Sequence, residues 1–411
     1  MCNYASGELI LAYDKGDLAA SELIQQIENN EEALHVHIKA RISDLLEELT
    51  RQEAPQRQEF PEELFLLEVP AGDEIFKIAY LYQLYARFYS KNYPEQPNPS
   101  FELIRIAPNS RMTLSSVKPI DFAFSAEHSS HYMPMIEWPP MPLRYPGPVP
   151  VKVAILDSGI DASNSTPLNV VACYDVRYPT APVQDLDGHG TAVARIINAV
   201  APGVKLHIYK VADSTGLYEW DVLAGLIQAT GANVINLSAE FGLGTNPCTT
   251  CGNITGTVRS TVFQHVMQSI ASLPNPPLVV VAAGNGGNND LAYPARYAEA
   301  IAVGAVDSTY TRHTSSNYGV TDANGSPHNN VFMAPGGQRS TPLELVGSIA
   351  SSPGTTDCHG TSFAAAYVSG LVAICFSHSL PPAGVLHCLR NNADNTYPGY
   401  IPDHGNGIPR H

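Results

Sequence analysis

Three segments in the second half of the chain place an acid, a histidine and a serine where a strand ends or a helix begins. In VAILDSGID an apolar run leads directly into Asp157, in DGHGTAVARII His189 lies between two glycines, and in GTSFAAAYVSG Ser362 opens a run of small apolar residues. Serine becomes a nucleophile when a base takes its proton, histidine titrates near neutral pH, and an aspartate fixes the imidazole tautomer. These residue types are the set that hydrolysis by acyl transfer requires.

A fourth segment, VVVAAGNGG, ends a strand-like run at Gly284 and Asn285. An amide side chain in such a place can donate a hydrogen bond to the oxyanion of a tetrahedral intermediate. Taken singly, each position has a simpler explanation, because a strand-end Asp is commonly a turn or cap residue and a helix-start Ser is commonly an N-cap. The joint order of the four segments along the chain favours the catalytic interpretation.

The elements around these residues alternate between short β-branched runs and helical stretches. The runs are residues 151–156, 204–211, 234–237, 278–283 and 300–306, and the helical stretches are 191–199, 219–230, 258–273 and 362–377. This alternation predicts an α/β fold with a parallel sheet and helices on both faces. Active sites form at the carboxyl ends of the strands in such sheets.

In that order, DSGID, HGTAVA, AAGN and GTSFAA resemble the signatures of the subtilisin-like serine proteases, the subtilases. The similarity covers about Val151 to Cys388, and VINLS resembles the family's substrate-binding strand. The resemblance implies a subtilisin-like three-layer sandwich with a central parallel sheet, and peptide-bond hydrolysis through an acyl-enzyme. The implied partner is a polypeptide substrate.

The resemblance also implies roles residue by residue. Asp157 corresponds to the orienting acid, His189 to the general base and then acid, and Ser362 to the nucleophile. Asn285 and the Ser362 backbone N–H correspond to the oxyanion hole. The implied substrate-binding residues are Ser238, Ala239, Glu240, Ala283 and Gly284.

Two departures from the family pattern bear on metals and on specificity. After His189 the helix passes directly into NAVAPGVKLHIYKV, so the loop that wraps a calcium ion in many secreted members is missing, and we expect no such metal site and no cofactor. Many members have two glycines after the VINLS strand, where this chain has Glu240 and Phe241. A carboxylate lining a pocket would favour Lys or Arg in the substrate. The alternative is a solvated loop glutamate that points away.

The first half contains no motif that indicates chemistry, and composition shifts mark its boundaries. We predict helices over Ser21–Asn30 and Glu31–Gln52, then a strand, a long helix and a second strand between about Glu62 and Ile106. The predicted parts are a helical N-terminal region (1–57), a small α+β region (58–125), a Pro-rich linker (126–149), the catalytic domain (150–391) and a C-terminal tail (392–411).

Three interpretations of the first 130 residues stay open. The α+β region is a removable propeptide, or it is a retained regulatory module in which residues 21–52 offer a helical face to a protein partner. The third interpretation is an ordinary packed helix pair without a partner. The second half likewise allows a catalytically silent subtilase scaffold that binds peptides, or a metal-dependent hydrolase.

Charge and cysteine content restrict partners and location. The net charge of −16 argues against nucleic acid and anionic membranes as partners. The start of the chain shows no signal-peptide pattern, and seven thinly spread cysteines do not resemble a disulfide framework, so we expect a cytoplasmic protein. Cys248 and Cys251 form half of a zinc motif with only His265 for support, and two free thiols are the favoured interpretation.

Overall fold

Two large sheets organise the chain in this computed structural model. One is parallel and belongs to the second half, and the other is antiparallel and joins the N-terminal segment to short strands of the second half. The structure describes residues 4–50, 58–96, 103–114, 147–161, 168–214, 216–241, 259–307, 309–336, 359–397 and 400–410.

The N-terminal segment folds as one α+β unit, which we call the N-terminal unit (residues 4–114). Its elements are β1 (Tyr4–Asp14), α1 (Leu18–Asn29), α2 (Glu31–Leu34), β2 (His37–Arg41), α3 (Ile42–Thr50), β3 (Glu62–Glu68), α4 (Glu74–Asn92) and β4 (Ile104–Leu114). The strands lie in the order β2-β3-β1-β4 with antiparallel pairing. Asp17 caps α1, where its carboxylate accepts from the backbone N–H groups of Ala19 and Ala20.

The second half is built around a parallel sheet in the order β14-β13-β12-β10-β5-β7-β6. Its strands are β5 (Lys152–Asp157), β6 (Val170–Asp175), β7 (Lys205–Lys210), β10 (Val234–Leu237), β12 (Leu278–Ala282), β13 (Ala300–Val306) and β14 (Val331–Pro335). Most of these strands are buried on both faces, as the near-continuous β-branched runs predict.

Helices cover both faces of this sheet. They are α5 (His189–Val200), α6 (Glu219–Gln228), α7 (Thr261–Ala271), α8 (Thr361–Ser377) and α9 (Pro382–Asn391). Helices α5 and α8 share one hydrophobic core with the sheet, and α6 and α7 share the core on the opposite face. The predicted α/β three-layer sandwich is therefore confirmed. Every helix in the described parts of the chain is too short or too polar to traverse a lipid bilayer.

The N-terminal unit packs directly on the second half because its sheet is apolar on both faces. Leu9 and Leu11 of β1 face the unit's own core under α1 and α4, while the alternate residues Ile10 and Ala12 join the core around α6 and α7. Successive side chains of a strand point to opposite faces, so LILA in one strand serves two cores at once.

The antiparallel sheet continues from the N-terminal unit into the second half through β4. The end of β4 pairs with β9 (Gly216–Tyr218) on one side and with β11 (Ala239–Phe241) on the other, and β8 (Ala212–Asp213) completes this edge. Met112 lies opposite Leu217, and Leu114 lies opposite Ala239. Residues 111–114 therefore fill a groove between two strands of the second half.

The predicted helix over Glu31–Gln52 is wrong in its middle. Helix α2 ends at Leu34 and is capped by His35, which has a left-handed backbone (φ 50), and residues 37–41 instead form β2 against β3. The four-residue spacing of Leu34, Ile38 and Ile42 mimics a helical face, but strand pairing outweighs that local preference. Because β1 and β2 share a sheet with β3 and β4, the predicted division of residues 1–57 from 58–125 is also wrong.

The predicted tail (392–411) is part of the folded second half. The short strands β15 (Ala393–Asp394) and β16 (Ile408–Pro409) pair with each other, and Ile408 is fully buried. The backbone N–H of Met333 in β14 donates to the carbonyl of Gly407 at 2.8 Å. The predictions for residues 126–146 and for Cys248, Cys251 and Cys358 lie outside the described residues.

Candidate active site

A buried contact joins the end of a strand to the start of a helix. Asp157 is the last residue of β5 and His189 is the first of α5, and Nδ1 of His189 lies 2.7 Å from Oδ1 of Asp157. Both side chains are buried. A Cβ on Gly190 would lie 2.4 Å from the carbonyl oxygen of Gly159, so only glycine allows these two segments to approach so closely.

The surroundings of His189 favour its protonated form. Burial by itself would lower the pKa of the imidazole, because it disfavours the charged state, but the carboxylates of Asp157, Asp187 and Asp185 together outweigh burial, with Asp157 contributing most. The pKa of His189 therefore lies above its ordinary value. An imidazole in this position is a proton acceptor whose charged form is stabilised once the proton arrives.

Asp185 is a site residue that the sequence reasoning missed. It is buried, and its carboxylate accepts from the hydroxyl of Ser158 (2.9 Å) and from the backbone N–H groups of Gly188 (2.8 Å) and Thr191 (2.9 Å). It thereby ties the turn after β5 to the turn that carries His189. The available signal was the acid four residues before the histidine in DLDGHG.

Ser362 lies fully buried at the start of α8, beside Ser238, the residue just before β11. Its hydroxyl donates to the carbonyl of Ser238 at 3.3 Å, and the Ser238 hydroxyl donates back to the Ser362 carbonyl at 3.2 Å. The ring of Phe363, the next residue, lies 5.8 Å from the ring of His189. Nε2 of His189 is buried and has no hydrogen-bond partner among the described residues.

Asn285 follows β12 and is held by its side-chain oxygen. Oδ1 accepts from the backbone N–H of Thr361 at 3.1 Å and from its hydroxyl at 3.3 Å, while the Nδ2 group is buried without a described partner. Buried amide donors are ordinarily paired, so an unpaired one needs an explanation. Here the unpaired donor is Nδ2 of Asn285, and the oxygen of the same side chain is bonded to Thr361, the residue before Ser362.

The remaining predicted substrate-binding residues lie on or next to β11 and just after the end of β12, beside this amide. Ser238, Ala239 and Ala283 are buried, and Gly284 has a positive φ of 103. A Cβ on Gly284 would lie 2.6 Å from Oε2 of Glu240. The end of β12 therefore packs directly against β11, one of the two strands that edge the groove.

The Glu240 side chain points toward Gly284 and Asn285 at the end of β12, and Glu240 is not a solvated loop residue, so that alternative is wrong. Its Oε1 accepts from the backbone N–H of Asn285 at 3.2 Å, and its Oε2 is buried without a hydrogen-bond partner among the described residues. Burial raises the pKa of the carboxyl to about 7. Its effect on the choice of substrate stays a prediction.

A cavity of about 480 Å³ adjoins His189 and is lined on one side by the end of β4. Its lining includes Met112 and Leu114 from the N-terminal unit and Asp187, His189 and Lys210 from the second half. In the part of the chain that the structure describes, the one group of His, Cys, Asp or Glu side chains close enough to share an ion lies elsewhere, at Asp14, Glu62 and His265.

Comparisons with known proteins agree with this architecture. Residues 150–407 match the model of the subtilase family, Peptidase S8. M-protease from Shouchella clausii (strain KSM-K16) is 31% identical over 261 residues, which cover 61% of this chain and 59% of the relative. Subtilisin NAT from Bacillus subtilis subsp. natto is 35% identical over 247 residues, 55% of each chain, so the match spans little more than half of these relatives.

Solved structures show the same fold. A lanthipeptide protease superposes with a TM-score of 0.51 at 25% identity, covering 63% of this chain and 85% of that one. A protease from Pseudoalteromonas arctica superposes with a TM-score of 0.53 at 22% identity, covering 71% of this chain and 97% of that one. The second likeness concerns the fold alone.

Proposed function

The chain belongs to the subtilase family, and we propose that it is a serine endopeptidase that hydrolyses peptide bonds through Asp157, His189 and Ser362. The observation that carries this proposal is the buried 2.7 Å contact between Nδ1 of His189 and Oδ1 of Asp157. A carboxylate on Nδ1 holds the tautomer in which Nε2 is free to accept a proton, and it stabilises the imidazolium that forms.

The proposed reaction begins when the Ser362 hydroxyl turns from the Ser238 carbonyl toward Nε2 of His189. His189 takes the proton while the oxygen attacks the substrate carbonyl, and the oxyanion accepts hydrogen bonds from Nδ2 of Asn285 and the backbone N–H of Ser362. His189 then returns the proton to the leaving amine, which leaves an acyl-enzyme. A water molecule, deprotonated in turn by His189, attacks the ester, and His189 returns that proton to the Ser362 oxygen as the carboxylic acid product leaves.

We propose that the substrate is an extended polypeptide bound between β9 and β11. The chain's own β4 supports this, because residues 111–112 pair with β9 and residues 112–114 pair with β11, both in antiparallel register. A groove edged by two strands recognises backbone amides of any sequence, and side-chain pockets add specificity. Ser238, Ala239 and Glu240 would form one edge, and Ala283 and Gly284 the wall beside it.

The N-terminal unit is proposed to restrain the enzyme. Its strand β4 occupies the groove that a substrate needs, so substrate and N-terminal unit compete for the same backbone partners. The docking face expected on residues 21–52 loses its basis, because Leu23, Ile24 and Ile27 of α1 are buried in the unit's own core. Restraint by occupation of the groove suits both a removable propeptide and a retained module.

We also propose a cytoplasmic location, because seven cysteines, an odd number spread thinly along the chain, fit reduced thiols better than a disulfide framework. Fractionation of the source cells with an antibody to the protein tests it. Recovery of the protein outside the cell would contradict it.

A fluorophosphonate probe tests the enzymatic proposal directly. The protein, incubated until any self-processing is complete, should label with one equivalent of probe, and the Ser362→Ala variant should not label. Ser379→Ala, which changes an exposed serine just beyond the same helix, is the matched control and should label normally. Absence of labelling in the parent would favour the catalytically silent scaffold. Labelling that survives Ser362→Ala would mean that another residue is the nucleophile and would overturn the proposed role of Ser362.

A further inference from the structure

We propose that Asp14, Glu62 and His265 bind a divalent transition-metal ion, for which Zn²⁺ is the natural probe, at the seam between the N-terminal unit and the second half. Asp14 is the last residue of β1, Glu62 is the first of β3, and His265 lies on α7. The two carboxylates are direct partners in the register of the β1–β3 pair. An imidazole and two carboxylates form a donor set suited to such ions.

The donor atoms have the spacing that an ion requires. Nε2 of His265 lies 3.0 Å from Oε1 of Glu62 and 3.4 Å from Oδ1 of Asp14, and one ligand atom from each side chain lies within 4.8 Å of the others. Zinc bonds of about 2.0–2.1 Å in tetrahedral geometry place neighbouring donors roughly 3.3 Å apart. Small side-chain rotations therefore suffice to close the shell.

Two atoms of these side chains are poorly satisfied without an ion. Nε2 of His265 lies close enough to pair with either carboxylate when the imidazole is protonated, but makes no hydrogen bond to them, and the second carboxylate oxygen of Glu62, Oε2, is buried without a hydrogen-bond partner among the described residues. Acids directly opposite each other in a strand pair repel, and a buried carboxylate requires a compensating charge. The Ser269 hydroxyl donates to Oε1 of Glu62, and Arg105 lies 3.8 Å from Asp14.

The proposed metal site is open to solvent on its Asp14 side and closed on its Glu62 side. The Glu62 side chain is fully buried, whereas that of Asp14 is 58% exposed. An ion can therefore enter past Asp14 and keep water as its remaining ligand. Such a site would connect β1 and β3 of the N-terminal unit to α7 of the second half, which is a clamp across the seam.

Direct binding is measured on the full chain carrying Ser362→Ala, which prevents self-cleavage. Titration with Co²⁺, followed by its visible absorption, and with Zn²⁺, followed by calorimetry, should show one tight site. His265→Ala should weaken binding by at least about tenfold, the scale on which lost metal-site contacts act. His37→Ala, which changes an exposed histidine paired with Glu31, should bind normally.

A second variant, Asp14→Asn, changes the exposed ligand, where substitution does not disturb the buried core. It should also weaken metal binding, so the test does not depend on a variant that fails to fold. Zn²⁺ should raise the Tm of the Ser362→Ala chain and leave that of the chain with His265→Ala unchanged. Unchanged affinity in His265→Ala, absence of binding in the parent, or a Co²⁺–thiolate absorption that indicates cysteine ligands would each overturn the site.

The idea that the ion clamps the N-terminal unit onto the second half rests on the proposed restraint of the enzyme by that unit, and it is tested by a separate measurement of activity. In the active chain, Zn²⁺ should slow the appearance of peptidase activity, a chelator should reverse the delay, and His265→Ala should abolish it. An identical delay in His265→Ala would overturn the clamp. The binding experiment uses an inactive chain, so its result is independent of whether the chain proves to be a peptidase.

Discussion

The backbone N–H of Asn285 donates a 3.2 Å hydrogen bond to the carboxylate of Glu240, so an ionisable acid and the proposed oxyanion donor share one wall of the groove. Burial raises the pKa of that acid to about 7. The charge state of the wall therefore changes near neutral pH, with consequences for stability and for substrate choice.

The first consequence concerns stability. The folded protein holds the Glu240 proton more tightly than the unfolded chain does. The contribution of this group to the free energy of unfolding is therefore greatest below the pKa that Glu240 has in the unfolded chain, and it is lost as the pH rises through about 7. Glu240→Gln keeps the acceptor but cannot ionise. In a Ser362→Ala background, Glu240→Gln should raise the free energy of unfolding by about 1 to 3 kcal/mol at pH 8 and by much less at pH 5.

Thermal unfolding at the two pH values checks this prediction. Glu219, whose pKa burial also raises to about 7, is present in both chains and cancels from the difference. A gain of equal size at pH 5 and pH 8 would contradict it.

The second consequence concerns specificity. Above pH 7 the Glu240 carboxylate is charged beside the groove and should favour substrates with Lys or Arg. Glu240→Gln should reduce the ratio of kcat/KM for basic over aliphatic peptides by about tenfold at pH 8, which corresponds to about 1.4 kcal/mol. At pH 6 the parent should already show a weaker preference. A library in which the two proteins select the same residues at pH 8 would dismiss the idea.

The pH profile should report the Asp157–His189 pair. The pKa of His189 lies above its ordinary value, and the base must be neutral, so kcat/KM should rise with pH through a midpoint above about 6.5. Asp157→Asn should move that midpoint to lower pH and reduce kcat by about 10⁴, the scale known from another serine protease. Steady-state rates between pH 5 and 9 test both effects, and an unmoved midpoint would count against the pair.

Removal of the amide donor should act on kcat and not on KM. Asn285→Ala deletes the unpaired Nδ2 group and should lower kcat by about 10² to 10³, the effect recorded for the corresponding donor in subtilisin. The substrate's ground state does not use this hydrogen bond, so KM should change little. A variant with normal kcat and raised KM would assign Asn285 to binding.

Weakening the seat of β4 should relieve the restraint. Met112 is 3% exposed and lies opposite Leu217 and Phe241, so Met112→Asp places an unpaired charge in the apolar core. Initial activity of the uncleaved chain toward a small peptide should rise about tenfold or more, an effect of at least 1.4 kcal/mol. Ile75→Asp, at a residue 63% exposed on α4, is the control and should change nothing. Equal initial rates in Met112→Asp and the parent would mean that β4 does not restrain the enzyme.

The placement of the candidate site residues at strand ends and helix starts could be predicted because its signals are local. A β-branched run that ends in Asp157, or a glycine on each side of His189, reports on backbone geometry within a few residues. The same applies to Ser362 at the start of its helix. The α/β fold followed from the alternation of such segments.

The features that were missed depend on contacts distant in sequence. Residues 37–41 form a strand only because β3 lies beside them, and β4 fills the groove only because β9 and β11 leave an open space there. Glu62 and His265 meet although 203 residues separate them, and no spacing motif could indicate this. Tertiary pairing decides all three.

Strand β4 also offers inhibitor chemistry a starting scaffold. The backbone of Arg111–Leu114 already has the curvature and amide spacing that the two flanking strands accept, and Arg111 stacks on the Tyr218 ring. A short peptidomimetic that copies this segment and ends in an electrophile should bind in the extended conformation that β4 adopts in the groove.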